Sequence, residues 1–311
     1  MKTRISNSTM KAPKIVVIGS SNTDMIVKAK QLPVPGETIL GENFIINPGG
    51  KGANQAIAAK RLGGDITFIT KVGNDLFGMQ AFEIYRSEYI NTGYVFKDPD
   101  NPSGVALISV DSMGENCIIV AGGSNMRLSP EDIDKAEEAI KECDLVLIQL
   151  EIPLETVEYA VDLAHRHGKK VILNPAPATS LSNDLLKKLY AILPNRIEAQ
   201  MLSGIQVTDE KSAYEASHAI SKKGIDNVVI TLGKAGAFVK EDDNYRMIPA
   251  KEVETIDTTG AGDVFCGAIS VYLSEGYSLM DSVAFANMAA SISVTRIGAQ
   301  SAIPFRREVF L

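Results

Sequence analysis

Asp257-Thr258-Thr259-Gly260-Ala261-Gly262-Asp263 brings together a glycine turn and an acid, the two things a phosphoryl-transfer site needs most. A glycine-rich turn that opens a helix points unpaired backbone N–H groups outward. The helix dipole adds positive potential at the same place. The product is an anion site, most often for phosphate. Asp263 falls in the first helical turn beside it, where a carboxylate can accept the proton of an attacking hydroxyl. Acids are also favoured in first turns simply as caps, so Gly-Ala-Gly-Asp alone does not decide between the two roles. The remainder of the chain favours chemistry.

A second glycine turn stands at Asn47-Pro48-Gly49-Gly50-Lys51-Gly52-Ala53-Asn54-Gln55-Ala56. It leads into an Ala-rich, helix-favouring stretch at 53–62. It is not a P-loop, because Gly rather than Ser or Thr follows the lysine and the upstream glycine is missing. Lys51 and Asn54 lie one helical turn apart and can face one ligand. Near the N-terminus, Ser20-Ser21-Asn22-Thr23-Asp24 follows an apolar strand. Asn22 and Asp24 are either turn residues or ligands at the edge where open α/β sheets bind them. No HExxH or GxSxG motif is present, and no GxGxxG follows the first strand, which speaks against a dinucleotide site.

These residues need a frame. Apolar strands are expected at 14–19, 66–72, 145–150, 171–173, 191–193 and 228–232. Helices are expected at 76–89, 130–141, 154–167 and 210–223, with Ser129 as an N-cap and Gly168 as a C-cap. A further helix-compatible run covers 264–273. This alternation predicts an α/β fold, a three-layer α/β/α sandwich on a mostly parallel sheet. Asp24, Glu151, Asn174, Asn195, Glu198 and Thr231 recur at the strands' C-terminal ends. Strands at 24–29, 38–46, 104–110 and 117–121 break the rhythm and form a small separate sheet, read as a lid. Its apolar face needs a cover, and a second copy of the chain is a reasonable one.

The 311 residues are 45% hydrophobic with a net charge of −7, enough for one large α/β domain over 14–311. The charge and the lack of a basic run exclude nucleic acid and membrane as partners. Cys117, Cys143 and Cys266 have no CxxC spacing, which suits a reducing, cytoplasmic setting. Residues 1–13 read as a disordered extension, with no signal peptide.

Gly49 to Ala56 resembles the N-terminal signature of the ribokinase (PfkB) family of carbohydrate kinases, and Asp257 to Asp263 resembles its C-terminal signature. The segments 19–24, 33–38, 149–151, 195–198 and 231–236 match in order and spacing, so the resemblance covers about 14–305. It implies ATP-dependent phosphorylation of D-ribose at the 5-hydroxyl. Asp263 is then the base and Gly260, Ala261 and Gly262 the anion hole. Asn22, Asp24, Gly50, Lys51, Asn54 and Glu151 hold the sugar. Asn195, Thr231, Gly233, Gly236 and Asn287 surround the nucleotide. Glu198 organises Mg²⁺ through water, and Asp257, Thr259, Ser293, Gly298 and Ser301 make a site for K⁺ or a similar monovalent cation. Ser301 stands one position off the family's pattern, which leaves its role as a ligand open. The resemblance also implies a homodimer through the lid. Another sugar (2-deoxyribose or a ketohexose), a nucleoside, and a non-catalytic sugar- or nucleotide-binding role remain alternatives.

Overall fold

The Lys-Ile-Val-Val-Ile segment that forms β1 (Lys14–Ile18) is buried almost throughout because the sheet it joins is covered on both faces. The computed structural model describes residues 11–310. Of the extension expected at 1–13, residues 1–10 lie outside the described residues. Pro13 is already part of the fold, buried and accepting a hydrogen bond from the Asp65 N–H at 2.8 Å.

The main sheet contains β1, β4 (Asp65–Gly73), β5 (Val95–Asp98), β8 (Leu145–Ile148), β9 (Lys170–Leu173), β10 (Ala191–Ile192), β11 (Asn227–Thr231), β12 (Ala237–Glu241) and β13 (Asn244–Ile248). Their order is β13-β12-β11-β10-β9-β8-β1-β4-β5. Pairing is parallel from β5 to β11, and at one edge only β12 runs against the sheet, pairing antiparallel with β11 and with β13. A second sheet contains β2 (Asn22–Lys28), β3 (Asn43–Gly49), β6 (Gly104–Val110) and β7 (Asn116–Ala121), in the order β3-β2-β6-β7. The helices are α1 (Lys51–Arg61), α2 (Leu76–Ser87), α3 (Pro130–Lys135), α4 (Glu137–Glu142), α5 (Leu154–Arg166), α6 (Asn183–Leu186), α7 (Arg196–Ser203), α8 (Glu210–Ser221), α9 (Ala261–Ser274), α10 (Leu279–Ser293) and α11 (Arg306–Val309).

Two apolar clusters sit on opposite faces of the main sheet. Ile15 and Val17 of β1 join α1, α9 and α10 on one side, and Val16 and Ile18 join α3, α5 and α8 on the other. This is the three-layer sandwich the alternation predicted.

Some boundaries differ from expectation. The segment 38–46 is not one strand: β3 begins at Asn43 and runs on to Gly49. As an edge strand it tolerates Pro48. β2 starts at Asn22, so Asn22 and Asp24 are strand residues, opposite Gly49 and Asn47 of β3. The helix expected at 130–141 is two short helices joined at Ala136.

One contact positions the site more than any other. α1 buries Ala53, Ala56, Ile57, Ala58 and Ala59, and α9 lies directly on it. A side chain at Gly267 of α9 would meet the Ala58 methyl at 2.7 Å and the Gln55 carbonyl at 3.0 Å. Small residues on both helices let their backbones close up, and the two glycine turns arrive side by side.

Candidate active site

Asp263 lies in the first turn of α9 and is 7% exposed. Asn54 Nδ2 donates to its Oδ2 at 2.9 Å and Gln55 Nε2 to its Oδ1 at 3.0 Å. Burial pushes the carboxyl above its ordinary range, while Lys51, Gln55 and Asn54 pull it back. Burial works against the Lys51 ammonium in turn, and Asp263, Glu151 and Glu198 outweigh it, so its pKa is raised.

Gly260 is the left-handed N-cap that turns the chain into α9, with φ 73°. Of the three residues expected in the anion hole, Ala261 has its N–H engaged, donating to the Thr258 carbonyl at 3.2 Å. Among the described residues no acceptor faces the N–H of Gly260, Gly262 or Asp263. A helix N-terminus with free donors beside a carboxylate is the geometry of a phosphoryl-transfer site.

The residues expected around a sugar come from three places: β2, the start of α1 and the segment after β8. Glu151, just past β8, accepts from Ser20 Oγ at 2.5 Å and from the Lys51 N–H at 3.1 Å. Asn22 Oδ1 accepts from Asn125 Nδ2 at 2.6 Å, and Asn125 also clasps the Ser21 backbone. Burial, then the charges of Glu151 and Asp263, push the Asp24 carboxyl to about 6 against the pull of Lys51. Its ionised form is thus disfavoured in the fold. Stability linked to Asp24 is complete below its ordinary pKa and is lost as pH rises towards 6. Asp24→Asn should therefore flatten the fall in melting temperature between about pH 4 and pH 6. Thermal unfolding of both proteins across that window checks it.

Gly50, with φ 90°, admits no side chain: a Cβ there would lie 2.6 Å from the Asn22 nitrogen and 3.0 Å from Ser20 O. Gly50→Ala should cost roughly 3 kcal/mol of stability, measured by urea unfolding.

Asn195 and Glu198 form a capping box on α7. Asn195 Oδ1 accepts from the Ile197 and Glu198 N–H groups, and the Glu198 carboxylate accepts from the Asn195 backbone N–H and Nδ2. Glu198 is 5% exposed, and burial raises its pKa. Thr231 bridges to Asn195, and the Leu232 N–H donates to Gly236 O. Gly233 and Gly236 both have positive φ, and Gly236 packs against Ile248 O, the same carbonyl that accepts from Asn287 Nδ2. These five expected nucleotide residues thus form one strip beyond the sheet edge.

Among the described residues no three His, Cys, Asp or Glu side chains converge on a point. A divalent metal caged by three or more such side chains therefore does not fit this donor set. A hydrated Mg²⁺ does, since it keeps several waters and leans on one carboxylate plus substrate phosphates. Near α9, Asp257 accepts from the Thr259 N–H, Thr259 Oγ1 and the Gly298 N–H. Burial raises its pKa, but these bonds outweigh it and hold the carboxyl below its ordinary range. The Asp257 N–H donates to Val294 O, next to Ser293. Ser293 Oγ donates to Ala290 O, and Ser301 Oγ to Ile297 O. The Ser293 and Ser301 hydroxyl protons face local carbonyls and that of Thr259 faces the Asp257 carboxylate, and the Asp257 bonds to Gly298 N–H and Val294 O bring the 257, 294 and 298 backbones together. Main-chain oxygens are the donors that suit a monovalent cation.

Three polar residues matter here that sequence reasoning passed over. Gln55 touches Asp263, Gln300 Nε2 donates to Asn54 Oδ1 at 3.1 Å, and Asn125 holds Asn22. Gln55 stood inside the 47–56 glycine turn and Gln300 next to Ser301, which was their only signal; Asn125 had none.

A family model described as pfkB family carbohydrate kinase matches residues 12–306. The chain belongs to this family. The carbohydrate kinase is 42% identical over 294 residues to the ribokinase of Haemophilus influenzae, covering 94% of this chain and 96% of the relative. It is 40% identical over 291 residues to the deoxyribokinase of Salmonella typhi, covering 93% and 95%. Among solved structures, Arabidopsis thaliana ribokinase complexed with ribose and ATP superposes with TM-score 0.89 at 31% identity, covering 96% and 98%. Among the described residues of this kinase, no helix is long and apolar enough to cross a membrane.

Proposed function

We propose that this carbohydrate kinase transfers the γ-phosphoryl group of ATP to the 5-hydroxyl of D-ribose. The observation that carries the reading is the buried Asp263 carboxylate beside free N–H groups at the start of α9, held by Asn54 and Gln55. Asp263 takes the proton of the sugar hydroxyl as its oxygen attacks in line. The N–H groups of Gly260 and Gly262 receive charge developing on the phosphoryl oxygens, and Lys51 adds positive potential nearby. Asn22, Asp24, Gly50, Lys51, Asn54 and Glu151 orient the sugar, offering donors and acceptors in fixed directions as a polyol requires. Asn195, Thr231, Gly233, Gly236 and Asn287 hold the nucleotide, with Glu198 beside its phosphates. Mg²⁺, when bound with ATP, neutralises phosphate charge. Asp257, Thr259, Ser293, Gly298 and Ser301 hold K⁺ or a similar monovalent cation, mostly through backbone.

The four-stranded sheet closes the sugar site as a lid. Phe44, Ile46, Ile118, Ile119 and Val120 lie exposed on it, and a second copy of the chain covers such a surface in a homodimer. The three free cysteines, two of them buried, suit the reducing cytoplasm.

A second reading, 2-deoxyribose as the sugar, is favoured by the deoxyribokinase relative at nearly the same identity and coverage as the ribokinase. The test is ADP release with Mg²⁺-ATP against ribose, 2-deoxyribose, fructose, adenosine and no sugar, each with and without K⁺. Activity with ribose above the other acceptors, raised by K⁺, is the expected result. Preference for 2-deoxyribose selects the second reading, and no turnover with any acceptor overturns both.

A further inference from the structure

Gln55 is fully buried, and all three of its hydrogen-bonding groups are engaged. Its Nε2 donates to Asp263 Oδ1 at 3.0 Å and to Asn174 Oδ1 at 3.1 Å, and its Oε1 accepts from Gln149 Nε2 at 2.5 Å. The direction of each bond is dictated. An ionised carboxylate only accepts. Asn174 presents its oxygen because its own amide donates to the Leu193 carbonyl. Gln149 lies against the Gly19 backbone, where any side chain at 19 would overlap its Oε1, and that oxygen is buried without a partner. A buried orphan acceptor is costly, and flipping Gln149 would set two oxygens face to face. The amide of Gln55 therefore has one orientation, imposed from the ends of β8 and β9 and delivered to α9.

We infer that Gln55 is a positioning residue for the phosphoryl-transfer base: through Gln149 and Asn174 it locks the Asp263 carboxylate in orientation and favours its ionised form. Asn54, the neighbouring residue on α1, grips the other oxygen, so Gln55 supplies half of a two-point hold. The charged groups acting on Asp263 come from other elements: Lys51 of α1, Asp24 of β2, Glu151 after β8 and Glu198 of α7. None of them can replace a hydrogen bond to Oδ1 that fixes the rotation of the carboxylate.

The inference rests on Asp263 acting as the base, and the experiment separates the two. Wild type, Gln55→Met, Gln149→Met and the double variant are assayed for kcat and KM from pH 5 to 9, with thermal unfolding alongside. Gln55→Met should lower kcat at pH 7 roughly tenfold or more, with KM for sugar and ATP within about twofold. Its acidic limb should move up by about one pH unit, because the ionised carboxylate loses a donor. Gln149→Met should shift the limb in the same direction by less, and should add nothing in the Gln55→Met background. A glutamine that merely supports the fold would lower the melting temperature and leave the limb in place, and that result overturns the inference. Additive losses in the double variant, or failure of both single variants to fold, also overturn it. A wild type that phosphorylates no sugar overturns the base assignment instead.

Discussion

Asp263→Asn turns over sugar roughly a hundred- to ten-thousandfold more slowly than the wild type, the range expected for loss of a general base. Binding changes far less, because the contacts to sugar hydroxyls and to the nucleotide strip come from other residues. Isothermal titration should find ribose and ATP affinities within about threefold of wild type while steady-state kcat collapses, the signature of an interaction made in the transition state. The replacement has a structural cost that must be separated out. Asn54 and Gln55 both donate to Asp263, so an amide there sets one NH₂ against another. Part of the loss is then misorientation, and a melting curve of the variant shows how much of the fold survives. Retention of most of the turnover would sink the base assignment.

Gly262→Ala separates stability from activity in the opposite way. A Cβ at Gly262 meets nothing within 4 Å, and the position is inside α9, where Ala is favoured over Gly by about 1 kcal/mol. The variant should melt at the wild-type temperature or slightly above it. Yet the methyl group stands in open space on a residue that carries one of the free N–H groups, so it competes for room with a phosphoryl group bound there. Activity should fall about a hundredfold or more, as when an oxyanion donor is lost. Full activity in this variant would mean that the phosphoryl group binds elsewhere. The contrast with Gly50→Ala, which strikes backbone and destabilises, distinguishes glycines needed for folding from a glycine needed for space.

The layered fold was legible because apolar strands and Gly-punctuated helices alternate over some 200 residues, and periodicity is a property of single segments. The β12–β13 hairpin and the short β5 were not foreseen. β5 reads Val-Phe-Lys-Asp, two apolar residues and then two charged ones with no apolar run to mark it, and the hairpin turns within Asp242-Asp243 with no glycine to mark it. Strand β3 was misplaced because the 38–42 stretch is as β-prone as the true strand. Only pairing with β2 decides between them, and pairing is tertiary. In the site, Asp263 and the two glycine turns announced themselves through chemistry and spacing. Gln55, Asn125 and Gln300 did not, since an amide's role depends on which partner faces it, and those partners lie 208, 103 and 246 residues away.

That separation bears on how the kinase is made. Asn54 and Gln55 leave the ribosome early and Asp263 late, and the α1–α9 contact that unites them is among the longest-range in the chain. Loop-closure entropy makes such contacts slow to form, so the N-terminal half can build β1, α1 and β4 during synthesis while α1 keeps one apolar face open. Until α9 docks, that face is a liability for a nascent chain. Once α9 docks, core burial and the assembly of the base occur in one event, so a chain truncated before residue 261 would be not a weak kinase but one with no active site to lose.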